Sequence, residues 1–162
     1  MSNRFINMPK KFITKSYRQT QKLGESLAKE ILEIPAQKHA VVLALSGNLG
    51  GGKTTFLQGF AKGLGVKDKV LSPTFVIMKR FKVPSSTFQS FYHFDCYRFK
   101  KAEDILELNF KEIISNPKNI VAIEWPERIK KVLPKNTVWI KFTCPESRRR
   151  VDKTKREINF KI

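Results

Sequence analysis

Cysteine is almost missing from this chain. Only Cys96 and Cys144 occur in 162 residues. Two isolated thiols make no disulfide framework, and neither stands at a metal-ligand spacing. A reducing, cytoplasmic setting is the expectation. Long apolar runs are missing too. No stretch approaches the roughly 20 residues that cross a bilayer, and residues 1–11 lack the apolar core of a secretory signal. No membrane association is expected. Acids are scarce, with 14 Asp+Glu against 32 Lys+Arg and a formal net charge of +18. A single nucleotide ligand does not require such an excess. It suggests a polyanionic partner, with RNA first among the candidates for a basic surface, although a general lysine bias accounts for it equally well. The basic residues are scattered. They are densest from about residue 145, where Arg148, Arg149 and Arg150 precede Lys153, Lys155 and Arg156 without interleaved aromatics. Internal repeats, low-complexity tracts and domain linkers are absent, so residues 1–162 are expected to form one domain.

Glycine is sparse as well, yet four of the eight glycines crowd into residues 47–54, Gly-Asn-Leu-Gly-Gly-Gly-Lys-Thr. This is Gly-x-x-x-x-Gly-Lys-Thr, the phosphate-binding loop of nucleoside-triphosphate enzymes. The apolar run at residues 40–45 before it reads as a buried strand. After it, Phe56, Leu57, Phe60, Ala61 and Leu64 fall at helical spacing. Strand, glycine loop and helix form the context in which this motif binds phosphate. Gly47, Gly50, Gly51 and Gly52 free the backbone so that successive amides, including those of Asn48 and Leu49, cradle phosphate oxygens. The helix start adds its positive end beside Thr55. Lys53 reaches the β- and γ-phosphates, and the Thr54 hydroxyl can ligate Mg²⁺.

Such a loop needs acidic partners. Glu124 directly follows the apolar strand at residues 120–123, where Mg²⁺ or its waters are held in this architecture. Asp95 stands inside the apolar and aromatic run 91–97. A lone buried carboxylate is costly, so it needs a partner. Mg²⁺ or an attacking water is one candidate, and a structural ion pair with Arg98 is the other. His93 shares the strand face of Asp95 and reads as a hydrogen-bonding core histidine. Ser72 and Thr74 flank Pro73 in a loop of the kind that offers a hydroxyl to the γ-phosphate and Mg²⁺; ordinary proline-turn capping is the alternative. Trp125 stacks on a base or a partner, or simply packs.

The remaining pattern alternates strands and helices. Residues 12–14 suggest a short opening strand. Ser16 and Gln19 suggest a capped helix whose Leu23, Leu27 and Ile31 share one face, ending before Pro35. Residues 70–71 suggest a strand start. Residues 75–81 and 91–97 suggest an antiparallel hairpin. Residues 103–110 and 111–115 suggest short helices, and residues 138–142 and 157–162 late strands.

Four segments together carry a family resemblance: G-N-L-G-G-G-K-T at 47–54, S-P-T-F at 72–75, H-F-D-C-Y-R at 93–98 and I-E-W-P-E-R at 123–128. From about Thr20 to about Phe142 the chain resembles the TsaE (formerly YjeE) family, bacterial ATPases of tRNA threonylcarbamoyladenosine synthesis. The resemblance implies an α/β fold of the three-layer P-loop NTPase type, with a mixed central sheet flanked by helices. It implies a Mg²⁺-dependent ATPase, weak alone and activated by TsaB and TsaD. Lys53 and Thr54 then bind phosphates and Mg²⁺, Asp95 and Glu124 form the acidic pair, Thr74 belongs to a switch-like loop, and Trp125 lies near the nucleotide. Three residues depart from the family pattern. Gly51 replaces a usual alanine, Asn48 a frequent acid and Cys96 a usual leucine. A small-molecule or nucleoside kinase is the alternative reading, though no arginine-rich lid precedes Arg148. A GTPase lacks its Asn-Lys-x-Asp string here, and a purely RNA-binding protein has only the charge in its favour.

Overall fold

A computed structural model describes residues 9–71, 75–144 and 154–161. Among the described residues seven strands form one sheet: β1 (Lys11–Thr14), β2 (Val41–Ser46), β3 (Met78–Lys82), β4 (Ser90–Asp95), β5 (Asn119–Glu124), β6 (Val138–Thr143) and β7 (Arg156–Lys161). Their order is β1-β7-β6-β2-β5-β4-β3. The centre is parallel, with β2 between β5 and β6 and β4 beside β5. The edges turn antiparallel through β3 on β4 and through β7 on both β6 and β1. The mixed α/β architecture expected from the sequence is the one observed.

Helices cover both faces. α1 (Tyr17–Glu33) and α2 (Lys53–Gly63) lie on one side, and α3 (Phe110–Ser115) with two 3₁₀ helices (Ala102–Leu108 and Pro126–Val132) on the other. Strand parity divides the core. On β5, Ile120 and Ala122 face α1 and α2, while Val121 and Ile123 face the opposite layer. Central strands buried on both faces read as unbroken apolar runs, as β2 and β5 do. Under α2, Phe56 and Phe60 are fully buried, and Phe56 meets the Phe142 ring edge-on at 5.5 Å. Truncating such a ring costs about 3–5 kcal/mol.

Local chemistry sets the helix starts. The Ser16 hydroxyl accepts the Gln19 amide at 3.2 Å, and the Gln19 side chain accepts the Lys15 amide at 2.7 Å. Small residues then let α1 and α2 touch backbone to backbone. A Cβ on Gly59 would stand 1.9 Å from the Gln21 carbonyl oxygen, and one on Gly24 would stand 2.2 Å from that of Phe56.

Three local expectations change. Residues 70–71 are not strand. The helix expected at 103–110 is a 3₁₀ segment that stops at Leu108, because Asn109 turns left-handed (φ 55°). The hairpin's first strand begins only at Met78, because Ile77 sits at φ 64° and breaks the extended run.

Candidate functional site

β2 delivers the glycine loop to the carboxyl end of the parallel strands, where open α/β sheets place their ligand crevices. Gly47 adopts φ 136°, and a Cβ there would stand 2.4 Å from the Phe142 carbonyl oxygen. Gly52 caps α2 in the left-handed region (φ 97°). Both positions need glycine on conformational grounds. The loop wraps the Lys53 side chain. Its Nζ donates to the carbonyls of Gly47 (2.6 Å) and Asn48 (3.0 Å) and lies 4.7 Å from the centre of the Trp125 ring. Lys53 is only 4% exposed. Burial pushes its ammonium below the usual lysine range, and the carboxylates of Glu124, Glu127 and Asp95 pull it back. Gly51 donates its amide to the Asn48 carbonyl at 3.0 Å, closing a turn within the loop.

The acids arrive by register. Asp95 and Glu124 end adjacent parallel strands as paired residues, on the sheet face that carries α2. Both are buried, at 5% and 4% exposure. The Thr54 hydroxyl donates to Glu124 Oε1 at 3.1 Å. His93 Nε2 donates to the same oxygen at 2.8 Å, since a carboxylate can only accept. His93 is fully buried, and its Nδ1 has no hydrogen-bond partner among the described residues. Asp95 Oδ1 accepts the Tyr97 amide at 3.0 Å, while Arg98 lies over the Phe75 ring at 5.2 Å. The core role expected for His93 is observed, with a specific duty: it fixes one oxygen of Glu124.

Backbone strain gathers at these two acids. Among the described residues only Ile77, Asn109 and Trp125 are non-glycines with positive φ. The carbonyl of Ile77 accepts the Asp95 amide at 2.8 Å. Trp125 (φ 58°) follows Glu124 directly, and its left-handed turn brings the indole beneath Lys53. Such conformations cost about 1–3 kcal/mol each and concentrate at functional sites.

The loop, both acids and Trp125 line one cavity of about 410 Å³. Leu49, Gly50, Gly51, Gly52, Lys53, Thr54 and Thr55 supply its floor. The volume suits a nucleotide-sized ligand. Among the described residues no cluster of three or more His, Cys, Asp or Glu forms a metal cage. A Mg²⁺ ion requires no such cage, since it takes one or two protein oxygens and completes its shell with phosphates and water. Thr54 Oγ1 and the Glu124 carboxylate, already in contact, fit that donor set. Ser72 and Thr74 lie outside the described residues, as do Arg148, Arg149, Arg150 and Lys153.

Sequence reasoning missed one wall of the cavity. Tyr17 and Thr20 from the start of α1, Thr154, Arg156 at the start of β7, and Tyr97 all line it. No motif spacing marks Tyr17, Thr20, Thr154 or Arg156. Tyr97 sits inside a quoted motif, and its ring packs 5.1 Å from that of Trp125.

Comparison with known proteins finds relatives of this chain. The family model described as threonylcarbamoyl adenosine biosynthesis protein TsaE matches residues 14–152. The tRNA threonylcarbamoyladenosine biosynthesis protein TsaE of Rickettsia typhi is 34% identical over 120 residues, 74% of this chain and 79% of that protein. The protein of the same name from Haemophilus influenzae is 28% identical over 131 residues, 81% of this chain and 80% of that protein. The crystal structure of Bacillus subtilus YdiB is similar with a TM-score of 0.69 and 29% identity, over 93% of this chain and 82% of that one.

Proposed function

This chain belongs to the TsaE family, and from that membership we propose that it binds and hydrolyses ATP within the machinery that makes N6-threonylcarbamoyladenosine in tRNA, acting in the cytoplasm with TsaB and TsaD. The observation that carries this reading is the convergence of Lys53, Thr54 and Glu124 in one cavity at the carboxyl end of β2 and β5.

Phosphoryl transfer to water needs positioning and charge neutralisation more than covalent chemistry. The loop amides and the Lys53 ammonium meet the phosphate oxygens of the nucleotide. Thr54 and Glu124 would hold Mg²⁺, with Asp95 as the second acid of the site; the ion would supply charge neutralisation on the phosphates. Asp95 and Glu124 divide metal binding and orientation of the attacking water between them. His93 keeps Glu124 in place for either task. Lys53 exchanges its hydrogen bonds to the Gly47 and Asn48 carbonyls for phosphate oxygens, while Thr54 and Glu124 are already in contact.

The test is ATP hydrolysis by wild type and Lys53→Ala with and without purified TsaB–TsaD. Stimulation by the pair in wild type, lost in Lys53→Ala, supports the reading. Equal rates in the two proteins would sink it. Transfer of labelled γ-phosphate to a nucleoside rather than to water would install the kinase alternative.

Direct contact with tRNA also belongs to this proposal. Lys100 and Lys101 gather with Arg128, Lys130 and Lys131 around the two 3₁₀ helices, tempered by Glu103 and Glu127. Binding to phosphates releases counterions, so tRNA affinity should fall steeply with salt, at a log–log slope of about −0.9 per duplex phosphate contacted. A flat salt response removes tRNA contact and leaves the ATPase intact.

A further inference from the structure

α1 and α2 leave a groove of about 380 Å³ along the solvent side of their seam. It lies across the sheet from the 3₁₀ helices. Arg18, Lys22 and Lys29 of α1 and Lys62 of α2 line it, all exposed. Positions 18, 22 and 29 are four and seven residues apart, which sets them on one stripe of the helix about 17 Å long. Glu25 is the one acid among the described lining residues. Lys29 pairs with it at 2.9 Å and Lys62 at 3.5 Å, and these lysines, Lys29 foremost, hold its carboxyl below the usual carboxylate range. No ion pair joins Arg18 or Lys22 to an acid among the described residues.

We propose that this groove binds the phosphate backbone of duplex RNA, such as a stem of tRNA. The inference rests on the tRNA-contact reading above and gives it a second, separate surface. The charges of α1 run against its dipole. Arg18 stands in a first turn that holds no acid, while Glu30 and Glu33 stand near a last turn that holds no base. That order weakens a helix left alone, and an anion lying along Arg18 and Lys22 offsets it. The lining also selects the kind of anion. No apolar side chain belongs to it among the described residues. Protein partners anchor on apolar and aromatic groups, whereas nucleic-acid interfaces are polar and strongly positive. Nor is there a ring on which an unpaired base could stack. Cations, amides and a hydroxyl suit phosphates and ribose hydroxyls, the groups that an RNA duplex presents.

The floor of the groove is tied from helix to helix. Gln21 Nε2 donates to Gln58 Oε1 at 3.2 Å, and Gln58 Nε2 donates to the Val70 carbonyl at 3.2 Å. The close approach at Gly59 keeps Lys62 within reach of the α1 stripe, as its contact with Glu25 shows. Lys67 and Lys69, both exposed, precede Val70 with Asp68 between them and carry the positive surface past that end.

The test measures binding of an unmodified tRNA transcript, and of a short RNA duplex of unrelated sequence, across a salt series. The proteins are wild type, Arg18→Gln/Lys22→Gln, the charge-keeping Arg18→Lys/Lys22→Arg and, at the 3₁₀ cluster, Lys100→Gln/Lys130→Gln. Neutralising Arg18 and Lys22 should weaken both RNAs about tenfold and flatten the log–log salt slope by about 2. The charge-keeping pair should stay within about twofold of wild type. Thermal melts of Arg18→Gln/Lys22→Gln should lie at or above wild type, because the charges it removes oppose the helix dipole. Wild-type affinity in that variant overturns the inference, and a loss confined to Lys100→Gln/Lys130→Gln leaves tRNA contact at the 3₁₀ cluster alone. A lowered melt accompanying the loss assigns Arg18 and Lys22 to folding and overturns it as well. Displacement of RNA by poly-glutamate as effectively as by unlabelled duplex, charge for charge, gives the groove to an acidic protein instead. Failure of wild type to bind either RNA defeats the tRNA-contact reading and this inference with it.

Discussion

Asp95 and Glu124 are direct neighbours across the parallel pair β4–β5, each the last residue of its strand. Like charges so placed repel, and both are buried. Glu124 is balanced by Thr54 and His93 on a single oxygen, and Asp95 by the Tyr97 amide. The pair is therefore held by α2, by β4 and by the turn that follows β4, which gives each partner a separable role.

Replacing either acid by its amide keeps the shape and removes the charge. Asp95→Asn and Glu124→Gln should each lower ATP turnover by about tenfold or more in the presence of TsaB–TsaD. Steady-state hydrolysis checks this. Wild-type rates in both variants would remove the acids from the chemistry.

His93 acts through Glu124. His93→Phe deletes a buried donor to a carboxylate and should destabilise the fold by about 2 kcal/mol. Urea denaturation measures it. If the pair is coupled as the 2.8 Å contact indicates, adding Glu124→Gln to His93→Phe should cost less than the sum of the single changes. Strict additivity would mean that the contact carries no energy.

The helix seam gives a prediction whose sign is unusual. Glycine to alanine within an exposed helix stabilises by roughly 0.5–1 kcal/mol. Gly59→Ala should instead destabilise by about 3 kcal/mol, because its Cβ meets the Gln21 backbone. Gly24→Ala should behave likewise against Phe56. A thermal melt at or above that of wild type for Gly59→Ala would show that α1 does not lie where it is described.

Lys53 should leave a pH signature. Burial holds its ammonium below the ordinary lysine value of 10.5. The unfolded chain therefore keeps its proton to higher pH than the folded one. Between the two titrations the unfolded state binds more protons, so stability rises with pH across that window. Relative to Lys53→Met, wild type should gain stability as pH climbs through the titration of Lys53 toward 10.5, and the margin should be level below it. Paired melts across pH 7 to 10.5 measure the margin. A margin level over the whole range would show that the ammonium is solvated.

Much of this site was legible in one dimension because its rules are local. The glycine loop is contiguous, its strand and helix flank it, and their periods of 2 and 3.6 announce themselves. Glu124 was legible as the first polar residue after a buried strand, and His93 by its parity with Asp95. Residue spacing alone did not indicate that Ile77 and Trp125 would turn left-handed. Those conformations are sustained by the packing and hydrogen bonds around them. The short helix at 102–108 was recognised as helical but not as 3₁₀, since that choice depends on how its apolar residues meet the layer below.

The amino-acid order by itself determined the phosphate loop, the elements on either side of it and the two acids, because each depends on neighbours a few residues away. Only the tertiary structure decided that Tyr17 and Arg156, 139 residues apart in sequence, line one cavity. The physical reason is strand pairing. β7 inserts between β1 and β6 through long-range hydrogen bonds, and no local propensity encodes which strand a given strand will choose as its neighbour.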